Sequence, residues 1–139
     1  MSACLPCDLE SAPADAVVYR DADWACEVAE GYDVPGWYIL RVRRHAEGWD
    51  ALTHSEATGF GVVSQRVTRA IQAATGVPTV YFLSFGENYA HLHFLLIARP
   101  ANLPAELRGA AILTLRAEHR DQPAALASAA AVRQAFTSD

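Results

Sequence analysis

The stretch HLHFLLIAR, residues 91–99, decides the fold. Its apolar run predicts a strand in the interior of a sheet, yet it opens with two histidines two residues apart. Because alternate residues of a strand share a face, His91, His93 and Leu95 are expected on one side and the residues between them on the other. An imidazole that gives one N–H to a backbone carbonyl keeps a lone pair on its other nitrogen. That lone pair is a metal ligand or a nucleophile; the alternative is that both rings are only structural.

The segments around this strand predict an α+β domain with an antiparallel sheet. Runs rich in branched and aromatic residues predict strands within 16–21, 24–30, 37–44 and 79–86. The last of these should form an antiparallel hairpin with 91–98. Residues 53–76 predict a helix that begins at a Thr53–Glu56 capping box and ends at Gly76. Further helices are expected within 108–119 and 123–138.

Length and charge exclude several classes of protein. The chain has 139 residues, which fits one domain, and 52% of them are hydrophobic. The net charge of −5 argues against unspecific binding to nucleic acid or to an anionic membrane. No stretch is long and apolar enough to span a membrane, and the N-terminus lacks the pattern of a signal peptide, so a cytoplasmic location is expected.

The cysteines indicate metal binding rather than disulfide bonds. Three cysteines are an odd count for a disulfide framework. Cys4 and Cys7 form a CxxC pair, which favours half of a metal site, whereas Cys26 lies in an apolar strand and is expected in the core. Together with His45 and one histidine of the 91–93 pair, the CxxC pair gives the Cys2His2 donor set that zinc prefers.

Four motifs in this order resemble the histidine triad (HIT) family. They are the CxxC pair, a Pro-Gly turn at 35–36 after two strands, a strand that ends in Arg43-Arg44-His45 before a helix, and HLHFLLIAR itself. The last is similar to the family signature, in which three histidines alternate with apolar residues. The resemblance covers about residues 4–100 of a single domain, 1–139, with a helical C-terminal part at about 108–138. It implies a five-stranded antiparallel sheet packed with helices, and a homodimer.

The same resemblance implies a function and a metal. HIT proteins bind nucleotides, and many act as hydrolases or nucleotidyl transferases at the α-phosphate of conjugates such as dinucleoside polyphosphates or nucleoside phosphoramidates. His93 matches the middle histidine, which attacks phosphorus and forms a nucleotidyl-histidine intermediate. In zinc-bearing members the first histidine is a ligand, which implies structural zinc held by Cys4, Cys7, His45 and His91. With four protein ligands such a site is closed.

The sequence departs from the family at position 95, where Leu95 replaces the third histidine. Loss of a positioned acid or oxyanion donor typically lowers a rate about a hundredfold to a thousandfold. The galactose-1-phosphate uridylyltransferase branch also lacks this histidine, but it carries a glutamine there. The candidate substrate-binding residues are Asn88, Tyr89, Glu30 and Arg99. For Asn88 a plain turn residue is the alternative, and for Arg99 a solvent-exposed charge.

Three functional hypotheses remain open from the sequence. The first is an enzyme with His93 as nucleophile. The second is a catalytically impaired nucleotide-binding or regulatory protein that has lost turnover through Leu95. The third is a zinc-stabilised domain whose partner is another protein.

Overall fold

A computed structural model, which describes residues 4–137, shows a five-stranded antiparallel sheet packed with helices, as the sequence predicts. The sheet has the spatial order β1-β2-β3-β5-β4, with β4 and β1 at its edges. None of the helices within 4–137 has the length and apolarity that a bilayer crossing requires. The strands are β1 (Val17–Arg20), β2 (Trp24–Glu27), β3 (Trp37–Val42), β4 (Thr79–Leu83) and β5 (His93–Arg99). The α-helices are α1 (Leu5–Asp8), α2 (His54–Thr75), α3 (Arg116–His119) and α4 (Gln122–Thr137).

The long helix α2 begins and ends where its sequence signals predict. The Glu56 N–H donates to Thr53 Oγ1 at 3.1 Å, and the Thr53 N–H donates to Glu56 Oε1 at 2.8 Å, which completes the capping box. Gly76 ends the helix with φ of +73°, a left-handed conformation that glycine adopts without strain. Val67 and Ile71 on its inner face are fully buried.

Helices α2 and α4 cover one face of the sheet. Phe94 and Leu96 of β5 point to this face, and the predicted core residue Cys26 is fully buried there. Trp24 is also buried and donates from its indole nitrogen to the Glu56 carbonyl at 3.0 Å, which fixes α2 against β2. This face is therefore a conventional apolar core.

The opposite face is covered by chain segments rather than by long helices. Leu9 from the N-terminal segment and Ile112 from the C-terminal segment pack on Ile39 and Leu95 of the sheet. The prediction of a helix at 108–119 is correct only in part, because Gly109–Leu115 is a 3-10 helix and only Arg116–His119 is α-helical. The 3-10 form repeats every three residues, which places both Ile112 and Leu115 toward the sheet.

Candidate functional site

The hairpin of β4 and β5 brings the two histidines to one end of the sheet. His93 is the first residue of β5 and lies opposite Arg41 of β3, while Leu95 lies opposite Ile39. His93 and Leu95 therefore share the face away from α2, as the alternation predicts. His91 precedes the strand and is almost fully buried.

The turn after β3 is held beside the start of β5. The Leu92 N–H donates to the Ala46 carbonyl at 2.8 Å, and the Val42 N–H donates to the Leu92 carbonyl at 3.3 Å. These two hydrogen bonds bring His45 next to His91, with ring centroids 5.1 Å apart. Backbone pairing thus makes neighbours of His45 and His91, which lie 46 positions apart in the sequence.

Cys4, Cys7, His45 and His91 form a compact cluster whose ligand atoms all lie within 4.8 Å of one another. Cys7 Sγ is 3.2 Å from His45 Nδ1 and 3.3 Å from His91 Nδ1. The corresponding distances from Cys4 Sγ are 3.6 and 3.3 Å. Around a tetrahedral zinc ion, bond lengths of ~2.3 Å to sulfur and ~2.05 Å to nitrogen put such atoms about 3.6 Å apart. The donor set and its spacing fit a four-coordinate zinc ion.

The protonation state of the cluster also suits a cation. The His91 Nε2–H donates to the Val42 carbonyl at 2.6 Å, which leaves the Nδ1 lone pair facing the thiols. Burial lowers the pKa of His91, so this ring is neutral near pH 7. Burial, together with the neighbouring Cys4, raises the pKa of Cys7 to about 11 when no cation is bound. A bound cation favours the thiolate form of a coordinating cysteine such as Cys7.

A buried ion-pair network lies beside the cluster and was missed by the sequence reasoning. Arg41 and Glu27 are both fully buried and form a bidentate pair with distances of 2.9 and 2.6 Å. Glu10 from the N-terminal segment lies 2.7 Å from Arg41 Nη1. Arg20 donates to the Leu9 carbonyl at 2.7 Å. The only sequence signal was one charged residue inside each of two neighbouring apolar strands.

A short hydrogen bond to the backbone orients the His93 ring. Its Nδ1–H donates to the His91 carbonyl at 2.5 Å, so Nε2 carries a lone pair. The Ser84 hydroxyl donates to the His93 carbonyl at 2.7 Å and ties the end of β4 to the start of β5. With Nδ1 directed at this carbonyl, the Nε2 atom of His93 is left available to a ligand.

A cavity of about 270 Å³ opens beside His93. Its rim comes from the loop between β4 and β5 and carries several polar side chains, whereas its floor is apolar and comes from five separate parts of the chain. The rim includes Ser84, Glu87, Asn88 and Tyr89, and the floor includes Leu5, Ile39, Leu83, Leu95 and Leu113. The Tyr89 ring lies edge-on to His93, with centroids 6.2 Å apart.

The structure brings together some of the predicted substrate-binding residues and not others. His93, Asn88 and Tyr89 line the cavity. Glu30 is exposed and borders a different hollow, and Arg99 stands at the far end of β5, where its guanidinium donates to the Pro100 carbonyl at 3.2 Å. Arg99 lies six positions along β5 from His93, a distance of about 20 Å in an extended strand. A substrate-binding role for Glu30 or Arg99 stays a prediction.

Solved structures identify the fold. No protein-family profile matches the sequence, and no curated protein matches it. A histidine triad nucleotide-binding protein from Sulfolobus tokodaii is similar, with a TM-score of 0.75 and 15% identity over 97% of this chain and 93% of that one. A Zn-bound histidine triad family protein from Mycobacterium smegmatis has a TM-score of 0.69 and 18% identity, over 97% and 94%.

A uridylyltransferase is also similar, with a TM-score of 0.70 and 18% identity over 97% of this chain and 46% of that one. These three structures share one topology with the present chain. The chain therefore has the histidine triad fold, which the sequence resemblance implied.

Proposed function

We propose that this protein belongs to the histidine triad family and is a hydrolase or nucleotidyl transferase that acts at the α-phosphate of a nucleotide conjugate. The observation that carries the proposal is the state of His93. Its Nδ1–H is bound to the His91 carbonyl, and its Nε2 lone pair is free beside a cavity. The nucleotide-related names of two structures with this fold support the assignment.

The reaction proceeds in two displacements. Nε2 of His93 attacks phosphorus, the P–N bond forms, and the bond to the leaving group breaks. The imidazole becomes positively charged, and the hydrogen bond from Nδ1–H to the His91 carbonyl stabilises that charge. Water or another acceptor then releases the nucleotide. The Asn88 amide and the Tyr89 hydroxyl are the donors we assign to the phosphate oxygens.

In this proposal, structural zinc is held by the cluster of Cys4, Cys7, His45 and His91. Bound zinc would cross-link the N-terminal segment to the start of β5, and with four protein ligands it would have no open position for substrate. The support is the donor spacing and the zinc-bound protein that shares the fold. A thiol-based cluster also suits the reducing cytoplasm. Metal analysis of protein purified without chelator should find about one zinc per chain, and a metal-free sample would exclude the site.

Dimerisation is the remaining part of the proposal. Strand β4 lies at one edge of the sheet, and four large apolar side chains of the described residues are exposed: Trp49, Val62, Phe82 and Phe85. Trp49, at 52% exposure, packs edge-on against Phe60. A homodimer that covers these side chains predicts twice the chain mass in light scattering. Phe82→Glu should shift the population to monomer.

Turnover assays on His93 variants test the central proposal. Wild-type protein should release AMP from at least one of three conjugates, namely adenosine phosphoramidate, diadenosine tetraphosphate and an acyl adenylate. His93→Ala should lose at least about a hundredfold, because no other group replaces the nucleophile. His54→Ala is the matched control and should stay active, because His54 is an exposed residue at the start of α2 and does not line the cavity.

A second candidate function is nucleotide binding without turnover, which Leu95 favours. Leucine offers neither a proton nor a hydrogen bond to the phosphate. In that case no conjugate is turned over, while calorimetric titration still detects AMP binding. Absence of both turnover and nucleotide binding would leave a zinc-stabilised domain with a protein partner.

A further inference from the structure

We propose that residues 109–116 form a movable strap, which closes a groove on the sheet and must lift before a nucleotide can reach His93. This inference rests on the proposed function, because it takes a nucleotide as the ligand and His93 as its target. Three observations carry it: a groove divided into two cavities, a cover with little buried surface, and a breakable attachment at each end of that cover.

Two cavities lie end to end on the face of β3 and β5 that carries His93. The first, beside His93, is lined by Ile39 and Leu95, which are cross-strand partners. The second, of about 460 Å³, is lined by Trp37 and Ile97, the next pair along the same face of the same strands. The two cavities are therefore parts of one groove.

The strap divides this groove. Leu113 lines the cavity beside His93, whereas Ile112 and Leu115 line the second cavity. At about 270 Å³ the cavity beside His93 is smaller than most small-molecule sites, which span roughly 300–1,000 Å³. With the strap lifted, the two cavities join into a volume within that range. Access of a nucleotide to His93 therefore depends on the strap.

The strap has the features of a segment that opens locally. Gly109–Leu115 is a 3-10 helix of seven residues, longer than the usual run of three or four, and such helices have poorer hydrogen-bond geometry than α-helices. Within these seven residues only Ile112 is buried. The side chain of Arg116, which ends the strap, is exposed. A segment with so few buried contacts opens at a lower free-energy cost than the core.

The strap begins at a glycine with a left-handed conformation. Gly109 has φ of +71°, where a residue with a side chain is strained. A Cβ at Gly109 would have no atom within 4 Å from any described residue other than its chain neighbours. Its N–H donates to the Tyr81 hydroxyl at 3.0 Å. Alanine at this position would therefore disfavour the closed strap through backbone strain and without a clash.

The other end of the strap is attached through Arg116. Its Nε–H donates to the Gly31 carbonyl at 2.6 Å, and its guanidinium carbon lies 4.1 Å from the centroid of the Tyr32 ring. Tyr32 also lines the cavity beside His93. Arg116 thus ties the strap to the wall of the site that the strap closes.

The chain on both sides of the strap is held in place. Arg120 Nε donates to the buried Asp33 carboxylate at 2.7 Å, and the Asp121 N–H donates to the Asp33 carbonyl at 2.9 Å. Before the strap, Arg108 Nε donates to the carbonyl of the buried Leu103 at 2.9 Å. These anchors confine the movement to the strap and the short helix α3.

Variants that weaken the closed strap should bind a nucleotide more tightly than wild type. The apparent affinity of a ligand is reduced by the fraction of molecules that are competent to bind it, here those with the strap lifted. Arg116→Ala removes the hydrogen bond to Gly31 and the contact with Tyr32, and should lower the Kd for AMP about threefold to tenfold. Gly109→Ala keeps every charge and should lower the Kd by a similar factor.

Calorimetric titration with AMP measures these affinities. Arg69→Ala is the matched control, because Arg69 is an exposed residue of α2 that lines neither cavity, and its Kd should equal that of wild type. A weaker or unchanged affinity in both Arg116→Ala and Gly109→Ala overturns the inference. If Arg116→Ala does not fold, Gly109→Ala and the exchange measurement on wild type still decide.

Hydrogen exchange of the wild-type protein gives a second readout. AMP in the groove displaces Ile112 and Leu113, so the amides of the strap should exchange at least about tenfold faster with AMP than without it. The rim loop at 84–89 should exchange more slowly in the same sample. Mass spectrometry of the two peptides measures both rates. A strap that is unchanged or protected while the rim loop is protected overturns the inference.

The failure of this inference can be told from the failure of the proposed function. Wild-type protein that binds AMP without a response of the strap overturns the inference alone. Binding of AMP that is detected only in Arg116→Ala and Gly109→Ala supports the strap. Absence of AMP binding and of turnover in wild type and in both variants overturns the inference and the proposed function together.

Discussion

The two faces of the sheet differ in the charged side chains that they bury. The face under α2 and α4 buries apolar side chains, with Leu40 and Leu96 at its centre. The other face buries the Arg41–Glu27 ion pair at zero exposure, and it carries His93 and its cavity. The Cys-His cluster lies at the end of this second face. One sheet thus joins a wholly apolar core to a second face where a smaller apolar cluster lies beside charged, cysteine and histidine side chains.

This difference predicts two kinds of behaviour. The face under α2 and α4, the helix face, should stabilise the fold at any pH, whereas the opposite face, the site face, should make stability depend on pH and metal ions. Apolar burial responds little to pH or to metal ions. Ion pairs and metal ligands are stable only in the right protonation state. The helix face should therefore stabilise the chain under most conditions, while the site face should respond to acid and to chelators. The predictions below test this contrast, from the largest expected effect to the smallest.

Breaking the buried ion pair should have the largest effect on stability. Arg41→Met leaves Glu27 charged and buried with only Arg20 beside it, and the free energy of unfolding should fall by about 3–5 kcal/mol in urea titrations. The double variant Glu27→Leu, Arg41→Met should recover most of that loss, because no buried charge remains. A single variant as stable as wild type would show that the pair is not a structural element of the site face.

Truncation on the helix face should be nearly as costly but insensitive to conditions. Leu96→Ala removes a fully buried side chain and should lower the free energy of unfolding by about 2–5 kcal/mol. The loss should be the same at pH 6 and pH 8, and with or without chelator. A loss that depends on zinc would mean that the two faces are coupled.

Zinc should stabilise the chain through the site face alone. At a free zinc concentration about 100 times the Kd, binding should add about 2.7 kcal/mol to the free energy of unfolding. Thermal unfolding with increasing zinc measures this gain, and Cys7→Ser should abolish it. Cys26→Ala is the matched control: its thiol is buried in the helix-face core, so the zinc response should persist.

Acid should weaken the attachment of the N-terminal segment by a smaller amount. The hydrogen bond from Arg43, together with Arg41, lowers the pKa of Glu10 to about 2. A carboxylate with a lowered folded-state pKa stabilises the fold above its unfolded pKa, near 4.5, and this contribution is lost as the pH falls toward 2. Because Glu10 is partly exposed, the contribution should be below about 1 kcal/mol.

Urea titrations of chelator-treated protein between pH 5 and pH 2 measure the Glu10 effect. Glu10→Gln cannot ionise, so it should lose less stability over this range than wild type. Equal losses in the two proteins would assign the acid response to other groups. Removing the metal beforehand keeps ligand protonation out of the comparison.

The helix face and the order of elements could be predicted because their signals are local. The apolar repeat, the Thr53–Glu56 box and Gly76 are all contained in one helix and its caps. Strand alternation placed His93 and Leu95 on one face, and the structure confirms this. The resemblance to histidine triad proteins supplied the strand count and the partners of the CxxC pair.

The site face could be predicted only in part because its contacts join distant residues. One charge in a strand, such as Glu27 or Arg41, does not name its partner. Nothing local reveals that Leu5 and Leu113 line one cavity with Leu95, since more than 100 residues separate the first two. The same limit applies to Glu30 and Arg99, which were candidate substrate-binding residues but do not line the cavity.

The loop at residues 84–89 supplies the polar side chains at the rim of the cavity. The rim residues Ser84, Glu87, Asn88 and Tyr89 all belong to this one connection between neighbouring strands. Surface connections tolerate insertion and deletion far better than strands do. Lengthening or exchanging this loop would therefore change the side chains at the cavity rim near His93. The sheet, the helices and the Cys-His cluster would stay as they are.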